Sequence, residues 1–190
     1  EMCGRDWSSD VCSSDLLLIT NTTPFYKWSY KKYYYSTVKR FFASGFGVGL
    51  IWQKLFNGKK GGGTLAPLLF TIIIYFLNLN VLYLSIIFLL LLGLYLYVVD
   101  DEAANTDPSW ITLDEIVGMS LVSLASPSRL LPLVAGFIIF RASDILKQPK
   151  FVKELENYPG KLGVLYDDLG AGLMGLLSAT IVNQFILLTL

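Results

Sequence analysis

The sequence predicts an all-α fold: a multihelical integral membrane protein built of helical hairpins, with an acidic site at its cytoplasmic face. Three observations lead there. Of its 190 residues, 54% are apolar, more than a soluble chain of this size usually carries. Lys27, Lys31, Lys32, Lys39, Arg40, Lys54, Lys59 and Lys60 fall between Leu16 and Val99, where no Asp or Glu occurs. The acidic residues of the second half then collect at the edges of apolar stretches. A basic front half ahead of long apolar runs sets membrane orientation and meets anionic headgroups. It is read as a lipid contact, with no nucleic-acid partner.

The first 16 residues, EMCGRDWSSDVCSSDL, hold both cysteines, Cys3 and Cys12, and show no apolar periodicity. The stretch resembles a recurrent artefact of metagenomic assembly, so residues 1–25 are read as a non-native or disordered extension and 26–190 as the membrane domain. Histidine is absent from the chain. That excludes His-based zinc sites, Ser/His/Asp triads and phosphohistidine chemistry.

Tyr26 to Phe42 mixes lysines with Trp28, Tyr30, Tyr33, Tyr34, Tyr35, Phe41 and Phe42, the composition of a segment at headgroup level or of an amphipathic helix on a core. Gly45, Gly47 and Gly49 follow. Gly58, Gly61, Gly62 and Gly63 with Lys59 and Lys60 then form a basic loop able to cradle phosphate, although it lacks the spacing of a mononucleotide loop. Leu65 to Val99 is almost continuously apolar and too long for the roughly 20 residues of one spanning helix. Asn78-Leu79-Asn80 is the natural break, giving a short helix from about Thr64 and a full one from Val81. Ile116 to Ala125 and Leu130 to Phe140, joined by Ser126-Pro127-Ser128-Arg129, are each too short to cross about 30 Å of hydrocarbon and read as a re-entrant or protein-buried hairpin. Leu169 to Leu190 is long enough to span, and its glycines suggest close packing.

An even number of crossings per hairpin leaves Asp107, Asp114, Glu115, Asp144, Asp167 and Asp168 free to share one face. Carboxylates beside apolar segments are costly unless solvated, paired or bound to a cation. Mg²⁺ suits them, since it prefers oxygen ligands and commonly bridges one or two carboxylates to a phosphate, whereas zinc would recruit His or Cys. Arg141 and Lys147 flank Asp144 at helical spacing and can contact phosphate, one as a two-pronged fork and the other as a point charge. Simpler readings exist for each group. Thr112-Leu113-Asp114-Glu115 fits a capping box, Asp167 and Asp168 suit a helix N-terminus, and Asp144 can pair with its flanking cations.

Asp107-Pro108, Leu113-Asp114-Glu115-Ile116-Val117-Gly118-Met119, Phe140-Arg141-Ala142-Ser143-Asp144-Ile145-Leu146-Lys147 and Tyr166-Asp167-Asp168-Leu169-Gly170-Ala171-Gly172 occur in that order. Together they resemble the phosphatidylglycerophosphatase A family, whose D-E-x-x-G, F-R-x-x-D-I-x-K and D-D-x-x-A-G blocks they match. Gly45-Phe46-Gly47-Val48-Gly49-Leu50 and Gly63-Thr64-Leu65-Ala66 resemble its glycine-rich opening, so the likeness runs from about Ser44 to the C-terminus. It implies a Mg²⁺-dependent phosphoric monoester hydrolase of the bacterial inner membrane that converts phosphatidylglycerophosphate to phosphatidylglycerol, its site facing the cytoplasm. By position, Asp114, Asp144, Asp167 and Asp168 would be catalytic. The same four with Glu115 would be metal ligands, and Arg141 and Lys147 would hold phosphate. A bound metal would polarise the phosphoryl oxygens and acidify a water. Asp107 is peripheral and shapes its loop with Pro108.

Two departures concern the phosphate loop and substrate preference. Lys147-Gln148-Pro149-Lys150 stands where the family continues K-P-x-P, and Asn57-Gly58-Lys59-Lys60-Gly61-Gly62 replaces a proline-glycine-threonine run. Two other readings stand beside the first: a phosphatase for another phosphorylated lipid or a diffusible ester, and a non-catalytic membrane protein whose carboxylates bind a divalent cation or cap helices. Deleting the residues before Tyr26 is expected to leave phosphate release unchanged. A loss of activity on that deletion would give the stretch a role.

Overall fold

A computed structural model describes residues 37–56, 61–104, 108–125 and 129–189 of the chain. The readings placed on Asp107, on residues 1–36 (which include most of the Tyr26 to Phe42 segment), on Gly58, Lys59 and Lys60, and on the Ser126-Pro127-Ser128 connection lie outside the described residues. Among the described residues the chain is helical throughout, with no strand. In chain order the helices are α1 (Thr37–Ala43), α2 (Val48–Leu55), α3 (Gly62–Leu77), α4 (Val81–Val98), α5 (Asp101–Ala104), α6 (Leu113–Ser123), α7 (Leu130–Leu146), α8 (Lys150–Leu155) and α9 (Lys161–Thr189).

The long apolar run divides where the sequence predicts. Asn78 closes α3 in the left-handed region, φ 47° and ψ 45°, which asparagine tolerates better than most residues. Asn80 opens α4 by accepting a hydrogen bond from the Tyr83 backbone N–H at 3.1 Å, satisfying one of the orphan donors of the first turn. Both asparagines therefore cap the helices that the break separates, and α3 and α4 each pack against α6.

Two helices, α4 and α9, are long and apolar enough to cross a membrane, and only 22% of the apolar window of each is buried within the protein. An apolar core helix of a soluble protein would be mostly covered. Here Phe76, Leu82, Leu89, Leu90, Leu131, Ile138, Leu177, Ile181 and Phe185 all face outward, an apolar surface of the kind that meets a membrane or another protein. At 1.5 Å per residue, the 18 residues of α4 reach about 27 Å, close to a hydrocarbon thickness.

The remaining apolar hairpin is split between two environments. Nine of the eleven residues of α6 are buried, because α3, α4, α7 and α9 all pack against it. Its protein-buried reading holds, while α7 extends to 17 residues, through the charged block, and exposes an apolar side. Met119, Val122, Phe140, Val152, Ala171 and Ala179 form the core between these helices.

Helix α9 departs from the sequence reading. It starts at Lys161, eight residues before Leu169, so Asp167 and Asp168 sit inside the helix and not at its N-terminus. Their charge has no capping explanation. The start is fastened to α4 and α5: Lys161 donates its backbone N–H to Asp101 Oδ1 at 2.9 Å and its ammonium to the Leu96 carbonyl at 2.7 Å, and Tyr95 donates its hydroxyl to the Lys161 carbonyl.

The α6–α9 contact is backbone against backbone. A Cβ on Gly172 would lie 2.7 Å from the Gly118 carbonyl oxygen, and one on Gly118 would lie 2.7 Å from the Asp168 carbonyl oxygen. Neither atom can rotate away, so a methyl group here forces the helices apart. Gly93, on α4, would place a Cβ with nothing within 4 Å among the described residues. Gly172→Ala is expected to destabilise the protein by about 1–3 kcal/mol. Gly93→Ala should fall within about 1 kcal/mol of the parent, on the stabilising side. Unfolding in detergent micelles checks both, and equal stability of Gly172→Ala and parent would show that the crossing accommodates a side chain.

Candidate active site

At one end of the helical bundle, four elements converge on a cavity of about 610 Å³. The first turn of α3 contributes Gly63 and Thr64, the first turn of α6 Asp114 and Glu115, the last turns of α7 Arg141 and Asp144, and the second turn of α9 Asp167 and Asp168. Lys147, the residue that ends α7, completes the set. The seven residues named from the sequence for catalysis, metal or phosphate all line this one cavity.

The ion pairs form a chain centred on Asp144. Arg141 Nη1 lies 2.7 Å from Asp144 Oδ2 and 3.9 Å from Glu115 Oε1. Lys147 Nζ lies 3.5 Å from Asp144 Oδ1 and closes a second ion pair on Asp167 Oδ2. The pairing reading of Asp144 is therefore correct on both sides. Lys147 holds a left-handed backbone, φ 50°, a conformation that costs a non-glycine residue free energy and that ends α7 here. That turn returns its side chain to the carboxylates.

The capping box does not form. Thr112 makes no side-chain cap, and its backbone N–H donates to the Ala43 carbonyl at 3.1 Å. Asp114 Oδ1 instead accepts the Glu115 backbone N–H at 3.1 Å. Glu115 faces Arg141, so its place in the cavity is not accounted for by capping.

Asp114, Asp167 and Asp168 are 6%, 5% and 4% exposed, a degree of burial that carboxylates rarely reach without compensation. The described lining holds six carboxylates, counting the exposed Glu156, and two cations. Asp167 Oδ1 and Asp168 Oδ1 are buried and accept no hydrogen bond among the described residues. An all-oxygen donor set with excess negative charge and two open buried oxygens fits a hard divalent cation. Among the described residues, no group of three acidic side chains is arranged to hold an ion unaided.

Sequence reasoning gave no site role to four lining residues, Glu156, Ile145, Val164 and Thr64. Glu156 comes from the end of the short α8, with no periodicity or motif to mark it. Ile145 and Val164 supply apolar wall on either side of the charged residues. Thr64 stands in the Gly63-Thr64-Leu65-Ala66 block, where the sequence assigned it no role, and its hydroxyl accepts from Arg141 Nη2 at 3.2 Å. The basic glycine loop does border the cavity through Gly61 and Gly63.

Apolar helices that end in a cavity of carboxylates and cations are the make-up of a membrane-associated protein with a charged site. The family model described as phosphatidylglycerophosphatase A matches residues 41–183, and the chain belongs to that family. Over 69 residues it is 41% identical to a Bacteroides thetaiotaomicron protein provisionally named phosphatidylinositol-3-phosphatase. That stretch is 35% of this chain and 43% of the relative, so the match spans less than half the relative's length. No solved structure matches the chain.

Removing the guanidinium leaves Asp144 and Glu115 facing each other with less compensation. Without added divalent cation, Arg141→Ala is expected to cost about 1–3 kcal/mol of stability, and Arg141→Lys less. Thermal unfolding in micelles measures both. Unchanged stability of Arg141→Ala would mean the ion pairs contribute nothing to the fold.

Proposed function

We propose that this protein is a Mg²⁺-dependent lipid phosphatase, integral to the bacterial inner membrane, that hydrolyses phosphatidylglycerophosphate to phosphatidylglycerol at the cytoplasmic face. One observation carries the reading. Side chains from three separate sequence blocks of a phosphatidylglycerophosphatase A chain meet on a single cavity at the end of an apolar helical bundle. The basic residues that precede the apolar run support the cytoplasmic placement of that end.

A phosphomonoester dianion entering a cavity of six carboxylates would be repelled unless cations intervene. Arg141 and Lys147 supply two, and both are shared with Asp144. A divalent cation on Asp167 and Asp168, with Asp114 and Glu115 beside them, would offset the rest. When bound, it supplies electrophilic polarisation of the phosphoryl oxygens and a more acidic water. In this reading Asp144 orients both side-chain cations toward the phosphate, and the buried walls limit water around the reacting group. The net reaction adds one water across the phosphorus–oxygen ester bond, leaves a proton on the glycerol oxygen and releases inorganic phosphate.

The name of the Bacteroides relative favours a second reading in which the mechanism is kept and the phosphorylated lipid carries an inositol headgroup. Both substrates present a phosphomonoester on a headgroup tethered to the bilayer. Competition between the two lipids in mixed micelles separates them.

Purified protein with Mg²⁺ is expected to release phosphate from phosphatidylglycerophosphate, and a chelator should abolish the release. Asp168→Asn should lower kcat by about 100-fold or more, the scale on which disturbing a metal site acts. No release from any phosphorylated lipid, or full activity of Asp168→Asn, would overturn the proposal.

A further inference from the structure

Gly63 and Thr64 open α3 on the cavity wall, ahead of the apolar part of that helix. We infer that this pair is a positioning platform that fixes the Arg141 fork and the Glu115 carboxylate in the register an incoming phosphate requires. The inference rests on the phosphatase reading above and adds to it a residue pair that no charged motif marks.

The geometry of the guanidinium carries it. Both ion-pair partners of Arg141, Asp144 at 2.7 Å and Glu115 at 3.9 Å, meet the same nitrogen, Nη1. A fork held at one nitrogen can still pivot about it. The Thr64 hydroxyl accepts from the other nitrogen, Nη2, at 3.2 Å. Two anchors on two nitrogens define the plane of the group, and a planar two-pronged grip on phosphate depends on that plane. Thr64 sits in the first turn of α3, whose buried residues tie it to the body of the protein, so the second anchor is rigid.

Gly63 does the corresponding service for Glu115. A Cβ at Gly63 would collide with Glu115 Oε1 and lie 2.6 Å from its Cδ. With no side chain there, the carboxylate rests directly against the first turn of α3. That end of a helix carries partial positive charge, which favours an anion beside it. Glu115 is thus held where it reaches Arg141. A platform from α3 orders two groups that belong to α6 and α7.

Thr64 touches Arg141 and acts through it, so Thr64 is a positioning residue. The test uses full-length protein in micelles, with Thr64→Val, Thr64→Ser, Arg141→Lys and the double variant Thr64→Val with Arg141→Lys. Thr64→Val should lower kcat/KM about tenfold, mainly through KM. Thr64→Ser, which keeps the hydroxyl, should stay within about twofold of the parent, and the thermal midpoints should agree. In the Arg141→Lys background, Thr64→Val should change kcat/KM by no more than about twofold. Stabilisation by inorganic phosphate, read as the rise in thermal midpoint, gives the same cycle without turnover. Thr64→Ala replaces Thr64→Val if the branched side chain disturbs the turn. Parental values for Thr64→Val, equal losses in Thr64→Ser and Thr64→Val, or losses that add in the double variant would each overturn the inference. A parent that releases no phosphate would sink the phosphatase reading instead, and the phosphate-binding cycle would still decide whether Thr64 acts through Arg141.

Discussion

The contact between the backbones of α6 and α9 at Gly118 and Gly172 is the constraint on which the rest of the structure depends. The pairing of Gly118 with Asp168 and Gly172, and of Val122 with Gly175, shows that the two helices run in the same direction. Asp114 and Asp168 each precede their crossing glycine by four residues, about one turn. Side chains lean toward the helix N-terminus, so both carboxylates project to the same end of the bundle. Helices usually pack about 8–10 Å apart, with side chains interleaved between them. A crossing without side chains brings the acidic turns closer than that arrangement permits. Helix α7 is locked in by the same device, since a Cβ on Gly175 would lie 2.8 Å from the Gly136 carbonyl oxygen.

Close approach of carboxylates would be self-defeating in an apolar bundle unless something offsets the repulsion. Arg141 on α7 and Lys147 just past its end do part of this, with Asp144 as the shared partner. The open oxygens of Asp167 and Asp168 show where the offset is incomplete. Stability alone would favour apolar residues at such positions, because desolvating a charge costs more than a pair usually returns. The arrangement fits the proposed site, which a cation and a phosphate would complete together. The outer faces of α4 and α9 obey the opposite rule, being largely apolar, with Thr180 and Gln184 as polar exceptions on α9, where no described residue covers them.

Much of this was legible in the sequence, and the limits have physical causes. The break at Asn78-Leu79-Asn80 was readable because asparagine caps helices by its own short side chain, a local interaction. The gathering of seven site residues was readable because hairpin parity decides which ends of helices share a face. Local patterns misled where tertiary contacts outweighed them. Thr112 and Glu115 have the spacing of a capping box, yet the backbone N–H that Glu115 would take is held by Ala43, from α1. Asp167 and Asp168 looked like the start of a helix because apolarity begins at Leu169, whereas Asp101 and Leu96 fasten the chain at Lys161 and carry the helix two turns earlier. Thr64 was visible only as part of a glycine-rich block, without its contact to Arg141, and Glu156 was missed, since a hydroxyl or a carboxylate on an otherwise ordinary turn leaves no periodic trace.

The two cations of the cavity differ in kind for a structural reason. Arg141 must bridge oxygens from three helices, Thr64 on α3, Glu115 on α6 and Asp144 on α7. A planar fork with five N–H donors can meet all three and keep donors in reserve. Lys147 lies beyond the end of α7, where the left-handed turn brings its flexible stem back between Asp144 and Asp167. A compact ammonium suits a place between two carboxylates from different helices. Asp144 is consequently engaged on both oxygens, one by each cation, while Asp167 and Asp168 each keep a buried oxygen open. Among five carboxylates that look equivalent in sequence, this division gives Asp144 the character of an orienting group and leaves the consecutive pair on α9 better placed to take a metal ion.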